Sequence, residues 1–420
     1  MRKLLWMFAF LLGSASHLFA QGAGDAVTFG PDDWPWWRGP NRNGIADARQ
    51  KPPTQWSETD GILWKTPIPG RGHGSPIVVG DQIFLATAEH DKQLQSVLCF
   101  DRNTGKQLWQ TVVHEGKFEK GGNGKASLAS ATAACDGQRV FITFLHDKAI
   151  YATALSLDGK KLWQTRVTGF VLHQGYGPSP TVYQSLVLVT ADNKGTGLIA
   201  GLDRATGSIV WKQERPKGPN YASPIIINTT GRDELILTGC ERIASYDPLT
   251  GKPNWDFKGT TQETVTSIVT DGEHIFISGG YPKQHVSAIK ADGSGQIVWE
   301  IKTQVYVPSM LVHDKHLYAV NDGGTAVCWK CATGAEVWNK RLNGAFTASP
   351  VLVGDQVYAT NEDGTTFIFK ATPKGYEEIA QNQLGDEALA TPTICGGRIY
   401  VRVATRKDGK RQESLNCIGK

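Results

Sequence analysis

Ten side chains with binding or proton-transfer chemistry share one position in a repeated pattern: each lies in the segment before a strand that opens with a small hydroxyl residue. Imidazole, carboxylate and amide groups bind metals or polar ligands, and aromatic rings stack on flat ones. The ten residues are His73, Lys125, His173, Tyr176, Asn220, Tyr221, Glu263, Tyr306, Phe346 and Glu387. If the strands surround one axis, these residues converge on one funnel, where they either bind a ligand or only line a hydrated opening.

The spacing of these residues predicts neither a catalytic group nor a metal centre. Glu263 and Asn220 carry oxygens of the kind that calcium prefers, but they do not stand at a conventional ligand spacing. The chain also lacks the GxSxG, HExxH, Walker and dinucleotide-binding motifs. We therefore predict no catalytic residue and no metal ligand, and hydrolase and nucleotidase activities have no support.

The strands that open with a hydroxyl residue recur eight times, 40 to 57 residues apart. They begin at Ser75, Thr132, Ser179, Ser223, Ser267, Ser309, Ser349 and Thr391. Each interval holds four short strands with tight turns, and helical periodicity of useful length is absent. This pattern predicts an all-β protein, an eight-bladed β-propeller of four-stranded antiparallel blades. The interval before the second of these strands is the longest, and its extra residues, about 115–130, are a candidate functional insertion.

A second repeated motif, DxxTGxxxW, marks a β-hairpin in most copies. It is clearest from Asp203 through Gly207 to Trp211, where Asp binds the turn, Gly takes a positive φ and Trp leaves on the next strand. A Trp at a fixed offset from each turn predicts packing between neighbouring blades. The predicted docking residues are Trp64, Trp109, Trp163, Trp211, Trp255, Trp299 and Trp338.

The two ends of the repeat region predict ring closure. The last copy stops at residues 415–418 before any strand that carries Trp, whereas residues 61–65 contain Trp64 and precede the first hydroxyl-opened strand. We expect the Trp64 segment to pair with the C-terminal blade as its outer strand. The propeller then occupies residues 56–420, after a Trp-, Pro- and Gly-rich strap at 21–55 that either packs on the body or reaches over a binding face.

The first twenty residues have the pattern of a signal peptide, with Arg2 and Lys3 before an apolar run from Leu4 to Leu12. That run is short for a membrane span, and no later run is long enough, so we predict an exported, periplasmic or extracellular protein without a transmembrane span.

The formal net charge of +4, or +2 without the leader, does not indicate nucleic-acid binding. Three of the seven cysteines, Cys99, Cys328 and Cys417, fill matching positions of interior strands, which predicts structural thiols.

The copy from Ala200 to Trp211 resembles the tryptophan-docking repeats of the pyrroloquinoline quinone (PQQ) propeller superfamily, and the resemblance covers about residues 56–420. This superfamily includes quinoprotein dehydrogenases and the non-enzymatic BamB-type scaffold. The segments from Trp37 to Gly44 and from His173 to Pro180 also resemble a group of exported PQQ-like propellers. This resemblance implies the propeller fold, but it does not by itself imply the cofactor.

A quinoprotein enzyme, as the family implies, binds PQQ and calcium in the funnel over an aromatic floor. Here the Trp residues are taken up by docking positions, by the N-terminal region and, for Trp329, by a blade strand, and the adjacent Cys-Cys pair of many such enzymes is absent. We therefore predict a non-catalytic binding or scaffolding module of the cell envelope that binds a protein partner or a small ligand at the funnel. The alternative is a dehydrogenase that depends on PQQ and calcium.

Overall fold

The computed structural model describes residues 28–228 and 231–420, and in this part of the chain every regular element is a β-strand. The predicted signal peptide, residues 1–20, lies outside the described residues. The strands form eight sheets of four strands each, one of which carries a short fifth strand. The predicted eight-bladed β-propeller is therefore confirmed. No helix in the described part of the chain is long and apolar enough to cross a membrane.

Two strands precede the first blade: β1 (Ile45–Ala46) and β2 (Ile62–Ile68). Blades 1 and 2 consist of β3 (Ile77–Val79), β4 (Gln82–Glu89), β5 (Leu94–Asp101) and β6 (Gln107–Glu115), then β7 (Ala134–Cys135), β8 (Arg139–His146), β9 (Ala149–Ser156) and β10 (Lys161–Gly169). Blades 3 and 4 consist of β11 (Thr181–Tyr183), β12 (Leu186–Thr190), β13 (Gly197–Asp203) and β14 (Ile209–Arg215), then β15 (Ile225–Asn228), β16 (Asp233–Gly239), β17 (Arg242–Tyr246) and β18 (Pro253–Lys258).

Blades 5 and 6 consist of β19 (Val269–Thr270), β20 (His274–Gly279), β21 (His285–Lys290) and β22 (Ile297–Ile301), then β23 (Leu311–His313), β24 (His316–Val320), β25 (Thr325–Lys330) and β26 (Glu336–Arg341). Blade 7 consists of β27 (Val351–Val353), β28 (Gln356–Thr360), β29 (Thr365–Lys370) and β30 (Glu378–Gln383). Blade 8 consists of β31 (Thr393–Cys395), β32 (Arg398–Lys407) and β33 (Lys410–Ile418), with β2 as its outer strand.

The antiparallel order of each blade divides its connections between two faces of the ring. The connection between blades and the turn between the second and third strands lie on one face, which we call the funnel face. The other two turns lie on the opposite face, which we call the far face. Second and third strands are buried almost throughout because blades cover both of their sides, whereas outer strands such as β6 alternate between exposed and partly buried residues.

Ring closure follows the prediction from the two chain ends. Strand β2 pairs antiparallel with β33, with Trp64 opposite Cys417 and Thr66 opposite Leu415. The eighth blade is therefore built from both ends of the described chain, and the prediction that the Trp64 segment supplies its outer strand is confirmed.

The hydroxyl residues that open the inner strands join the blades around the axis. In six of the eight junctions of the described chain, the backbone N–H of one such residue donates to the hydroxyl of its counterpart in the next blade at 2.9–3.0 Å. At a seventh junction the Ser267 hydroxyl instead accepts a hydrogen bond from the indole of Trp37. The first position of each inner strand thus favours a small residue with a hydroxyl group, because this hydroxyl accepts a hydrogen bond from the neighbouring blade near the axis.

The turn glycines pack directly against the Trp residues of neighbouring blades. A Cβ atom added at these glycines would lie only 2.3–2.7 Å from an indole atom, which leaves no room for a larger residue. The pairs are Gly105 with Trp64, Gly159 with Trp109, Gly207 with Trp163, Gly251 with Trp211 and Gly334 with Trp299. The same glycines have φ between 67° and 87°, so both backbone conformation and close approach require Gly.

Most of the predicted docking indoles also donate a hydrogen bond to a backbone carbonyl of the next blade, as Trp109 does to Leu157 O at 2.9 Å. Trp255 differs, because its Nε1 donates to Glu234 in its own blade and its ring stacks on Phe257. Phe257 then occupies the position against Gly295. Phe257 therefore takes over the contact that the repeat pattern assigned to Trp255.

The N-terminal strap crosses the ring along its inner strands. Pro35 accepts a hydrogen bond from Cys135 in blade 2, and Arg42 donates to Val182 in blade 3. On the opposite side of the axis, Arg38 donates to Met310 before β23, and β1 pairs with β27 of blade 7. These contacts place the strap across the axis of the ring, beneath the funnel, where it packs on the body of the propeller.

All seven cysteines are free and buried. Cys99, Cys328 and Cys417 lie in the third strands β5, β25 and β33, as their alignment to the repeat predicted. Burial raises the pKa of the Cys99 thiol to about 12, so that it stays protonated at neutral pH.

Candidate functional site

The funnel face contains a cavity of about 720 Å³, bounded by the eight connections between blades and by turns of blades 5 to 7. Eight of the ten predicted residues line it: His73, Lys125, His173, Tyr176, Tyr221, Glu263, Tyr306 and Phe346. They come together because each lies in a connection between two blades, and all these connections reach the same face of the ring. Asn220 and Glu387 do not line the cavity.

Asn220 is buried beside the cavity in a structural polar network. Its amide nitrogen donates to Asp192 Oδ2 at 3.0 Å and to Thr238 O at 2.7 Å. Asp192 in turn forms a buried ion pair with Arg215 at 2.9 Å. Asn220 therefore orients the Asp192 carboxylate within the protein and is not presented to the funnel.

Glu387 is held by arginines of the long hairpin of blade 8. Its carboxylate lies 2.6 Å from Arg411 Nη2 and 3.3 Å from Arg406 Nη2. Burial opposes its charge, but the hydrogen bond and charge of Arg411 lower the pKa of Glu387 overall. The residue is ionised and paired, which explains its position outside the cavity lining.

Glu263 is the most buried carboxylate of the funnel, with an exposed fraction of 4%. Its Oε1 lies 3.2 Å from His173 Nε2, and its Oε2 accepts a hydrogen bond from the Tyr306 hydroxyl at 3.0 Å. Burial and the charge of Glu263 raise the pKa of the Tyr221 hydroxyl. The four successive connections from blade 2 to blade 6 thus contribute one polar cluster to the cavity wall.

His73 is a neutral member of the lining. Burial, reinforced by the nearby charge of Arg71, lowers the pKa of His73 to about 3. Its Nε2 is buried without a hydrogen-bond partner among the described residues. The imidazole therefore offers a neutral donor or acceptor to the funnel and not a positive charge.

Two further acidic residues, Asp322 and Glu362, enter the cavity wall from turns between the second and third strands of blades 6 and 7. Glu362 forms an ion pair with Lys125, whose Nζ lies 2.7 Å from Oε2. Asp322 accepts hydrogen bonds from the backbone N–H groups of Tyr306 and Val307 at 2.7 and 3.0 Å. Burial raises the pKa of Asp322, although these backbone donors oppose the shift.

Asp322, Glu362 and Tyr281 all lie between the second and third strands of their blades. The segments Asn321–Thr325 and Asn361–Thr365 share the pattern Asn, acid, any residue, Gly and Thr. Alternate turns of an antiparallel blade share a face. With this rule, the repeated pattern could have predicted from the sequence that these turns reach the funnel. Gln174 was not among the predicted funnel residues, and Asn123 was predicted only as part of the insertion at residues 115–130; both lie beside predicted funnel residues in the connections between blades.

The cavity lining does not fit PQQ with calcium. PQQ is a flat quinone that carries carboxylates, whereas the cavity presents Glu263, Asp322 and Glu362 and only one Lys or Arg side chain from the described residues. Among the described residues, no Trp lines the cavity, and no cluster of three His, Cys, Asp or Glu side chains could hold a metal. The arrangement is instead a cavity with an acidic and aromatic lining.

Comparison with protein families finds a match to a model described as outer membrane protein assembly factor BamB, over residues 93–281 and 282–375. The chain is 25% identical to the protein of that name from Yersinia pestis, across 81% of this chain and 86% of the relative. It is also 22% identical to a polyvinylalcohol dehydrogenase from a Pseudomonas species, across 88% of this chain and 73% of the relative.

A solved structure extends the comparison to the fold. The quinohemoprotein alcohol dehydrogenase from Comamonas testosteroni superposes with a TM-score of 0.69 at 13% identity, and the match covers 93% of this chain and 81% of that enzyme. At this level of identity the likeness shows a shared propeller fold and carries no information about activity.

Proposed function

Because the chain belongs to the family of the outer membrane protein assembly factor BamB, we propose that it is an exported, non-catalytic binding module of the cell envelope that engages its partner at the funnel. The observation that carries this proposal is the cavity of about 720 Å³ on the funnel face, which gathers polar and aromatic side chains from connections between blades around the ring. A cavity of this size with a few convergent polar groups is typical of a binding site.

The hydrogen bonds of the funnel support binding more than catalysis. The Glu263 carboxylate is already engaged by His173 and Tyr306, and the Glu362 carboxylate by Lys125 and Thr347. His73 stays neutral because its pKa is about 3, far below the range that suits a general base at neutral pH. These groups are suited to hold a partner in a fixed orientation.

Site-specific photo-crosslinking in the native host tests the proposal. A photoreactive phenylalanine derivative replaces Tyr281, which is 54% exposed and lines the funnel. The matched control replaces Ile297, which is 51% exposed on the outer strand of the same blade. We expect a discrete adduct with an envelope protein from position 281 only. Adducts from position 297 alone, or from neither position, would contradict binding at the funnel.

A dehydrogenase that uses PQQ and calcium remains the second candidate, because of the likeness to polyvinylalcohol dehydrogenase. The acidic lining of the funnel disfavours it. The melting temperature of the protein with PQQ, calcium, both or neither separates the two proposals. A saturable increase that requires both additives would support the dehydrogenase, since a ligand that binds the folded state raises its stability. An unchanged melting temperature supports the binding module.

A further inference from the structure

We propose that the funnel recognises a cationic nitrogen group, an alkylammonium or a guanidinium, which it seats between Glu263 and Asp322. This inference rests on the proposed function of the funnel as a binding site and names the chemistry of what it binds. The group can belong to a small amine or to a Lys or Arg side chain of a partner protein.

The first support is the balance of charge in the cavity wall. Three carboxylates line the cavity, and in the part of the chain that the structure describes Lys125 is the one Lys or Arg among the lining residues. Its ammonium is already paired with Glu362 at 2.7 Å. Glu263 accepts a hydrogen bond from Tyr306 and lies 3.2 Å from the His173 imidazole, and Asp322 accepts hydrogen bonds from backbone N–H groups only. No Lys or Arg of the described lining pairs with either carboxylate, so their negative charge is left in the cavity wall, where it attracts a cation.

The second support is the aromatic lining between these carboxylates. Tyr306 connects them, since its backbone N–H donates to Asp322 and its hydroxyl donates to Glu263. Tyr221 and Phe346 line the same cavity. Aromatic faces attract ammonium and guanidinium groups through the ring quadrupole, more so where water is excluded. Carboxylates next to aromatic rings provide both the charge-assisted hydrogen bonds and the apolar contact that such a group needs.

The Lys125–Glu362 pair shows the same chemistry within the protein. An ammonium carried by the insertion at residues 115–130 enters the funnel and binds a carboxylate on blade 7. Thr347 donates its hydroxyl to the same carboxylate and holds it in place. The funnel therefore already accommodates one alkylammonium at its rim, and the Glu263–Asp322 side offers a second position of like chemistry.

Calorimetric titration of the mature protein, residues 21–420, with matched probes tests this inference. The cationic probes are agmatine and a hexapeptide with a central Lys, and the neutral and anionic controls are 1,5-pentanediol, the same peptide with norleucine, and glutarate. We expect saturable binding of the cations only, weakened by 0.5 M salt. Glu263→Gln and Asp322→Asn should each weaken binding about tenfold, as expected for the loss of one charge-assisted hydrogen bond.

Glu273→Gln is the matched control, because Glu273 is exposed at a far-face turn of blade 5 and should bind the probes as the unaltered protein does. Tyr306→Phe, which removes only one hydroxyl, provides a mild variant if Glu263→Gln fails to fold. If agmatine binds more tightly than the Lys peptide, the cationic group belongs to a small amine. If the Lys peptide binds more tightly, the cationic group belongs to a side chain of a partner protein.

Three results would overturn the inference: no binding of either cation, equal binding of the neutral probes, or cation binding that Glu263→Gln leaves unchanged. Crosslinking from position 281 shows whether only the recognition of a cation is wrong or whether the proposed binding at the funnel is wrong as well. If crosslinking succeeds while the cations fail, the funnel binds a partner of other chemistry. If both fail, the funnel is not the binding site.

Discussion

The ammonium of Lys125 lies 2.7 Å from Oε2 of Glu362, so that the connection between blades 1 and 2 reaches a turn of blade 7 across the funnel. The two residues are 237 positions apart in the chain. This contact ties the insertion at residues 115–130 to the opposite wall of the cavity. The opening of the funnel on this side therefore depends on one ion pair at the surface.

We expect Lys125→Ala to loosen the insertion with little effect on global stability. The Lys125 side chain is 62% exposed, and such pairs contribute less than about 1 kcal/mol. Amide hydrogen exchange should become faster in residues 117–130, with an unchanged urea midpoint. Lys160→Ala, which breaks an exposed pair with Asp158 on the far face, is the control. Unchanged exchange in the insertion of the Lys125 variant would show that the pair does not hold it.

Trp211→Ala should lower the free energy of unfolding by about 3–5 kcal/mol, as large-to-small changes in a packed core do. The indole is 8% exposed and packs against Gly251 of the next blade, so its removal leaves a cavity between blades 3 and 4. Urea denaturation measures the change. The adjacent Val210 is 56% exposed, and Val210→Ala should shift the free energy by less than about 0.5 kcal/mol. Equal effects of the two changes would contradict the docking role.

Stability should fall as the pH decreases below about 6.5, in part because of His114. Burial, reinforced by the adjacent His146, lowers the pKa of His114 to about 3, and the two rings stack at 4.3 Å. The unfolded chain therefore binds a proton at His114 between about pH 6.5 and 3, while the folded protein does not. The resulting loss approaches about 1.4 kcal/mol per pH unit within that window.

Urea denaturation at pH 7, 6 and 5 measures this dependence. His114→Phe keeps a ring at the position but removes the titration, so its stability should vary less with pH. His313→Gln, at a far-face turn of blade 6, should retain the full dependence. If the His114→Phe protein lost as much stability on acidification as the unaltered one, another group would be responsible.

Arg38→Ala should lower the free energy of unfolding by about 3 kcal/mol, because its guanidinium donates to the carbonyls of Asn43 and Met310 in a buried position. These bonds tie the strap to blade 6. Arg49 is the control, since it forms an exposed pair with Asp47 and its replacement by Ala should have almost no effect on thermal unfolding. A melting temperature of the Arg38 variant equal to that of the Arg49 variant would argue against the anchoring role.

The blade count and ring closure were predictable because the evidence for them is local. The recurrence of residues such as Ser179 and Ser223 counts the inner strands, and the position of Trp64 before the first complete copy identifies the missing outer strand. The gathering of eight predicted residues at one cavity followed from the same regularity. It depends only on the alternation of turns in an antiparallel blade.

The sequence by itself therefore determined the architecture and the face on which the funnel lies, since hydrophobic periodicity and turn chemistry act within a few residues. Only the tertiary structure decided which side chains enter the funnel. Asn220 is turned away by Asp192, Glu387 by Arg411, and Lys125 meets Glu362 across the opening. The orientation of each of these side chains depends on a partner that is distant in the chain or lies in another repeat. Ion pairs and hydrogen bonds between such residues leave no periodic pattern in the sequence.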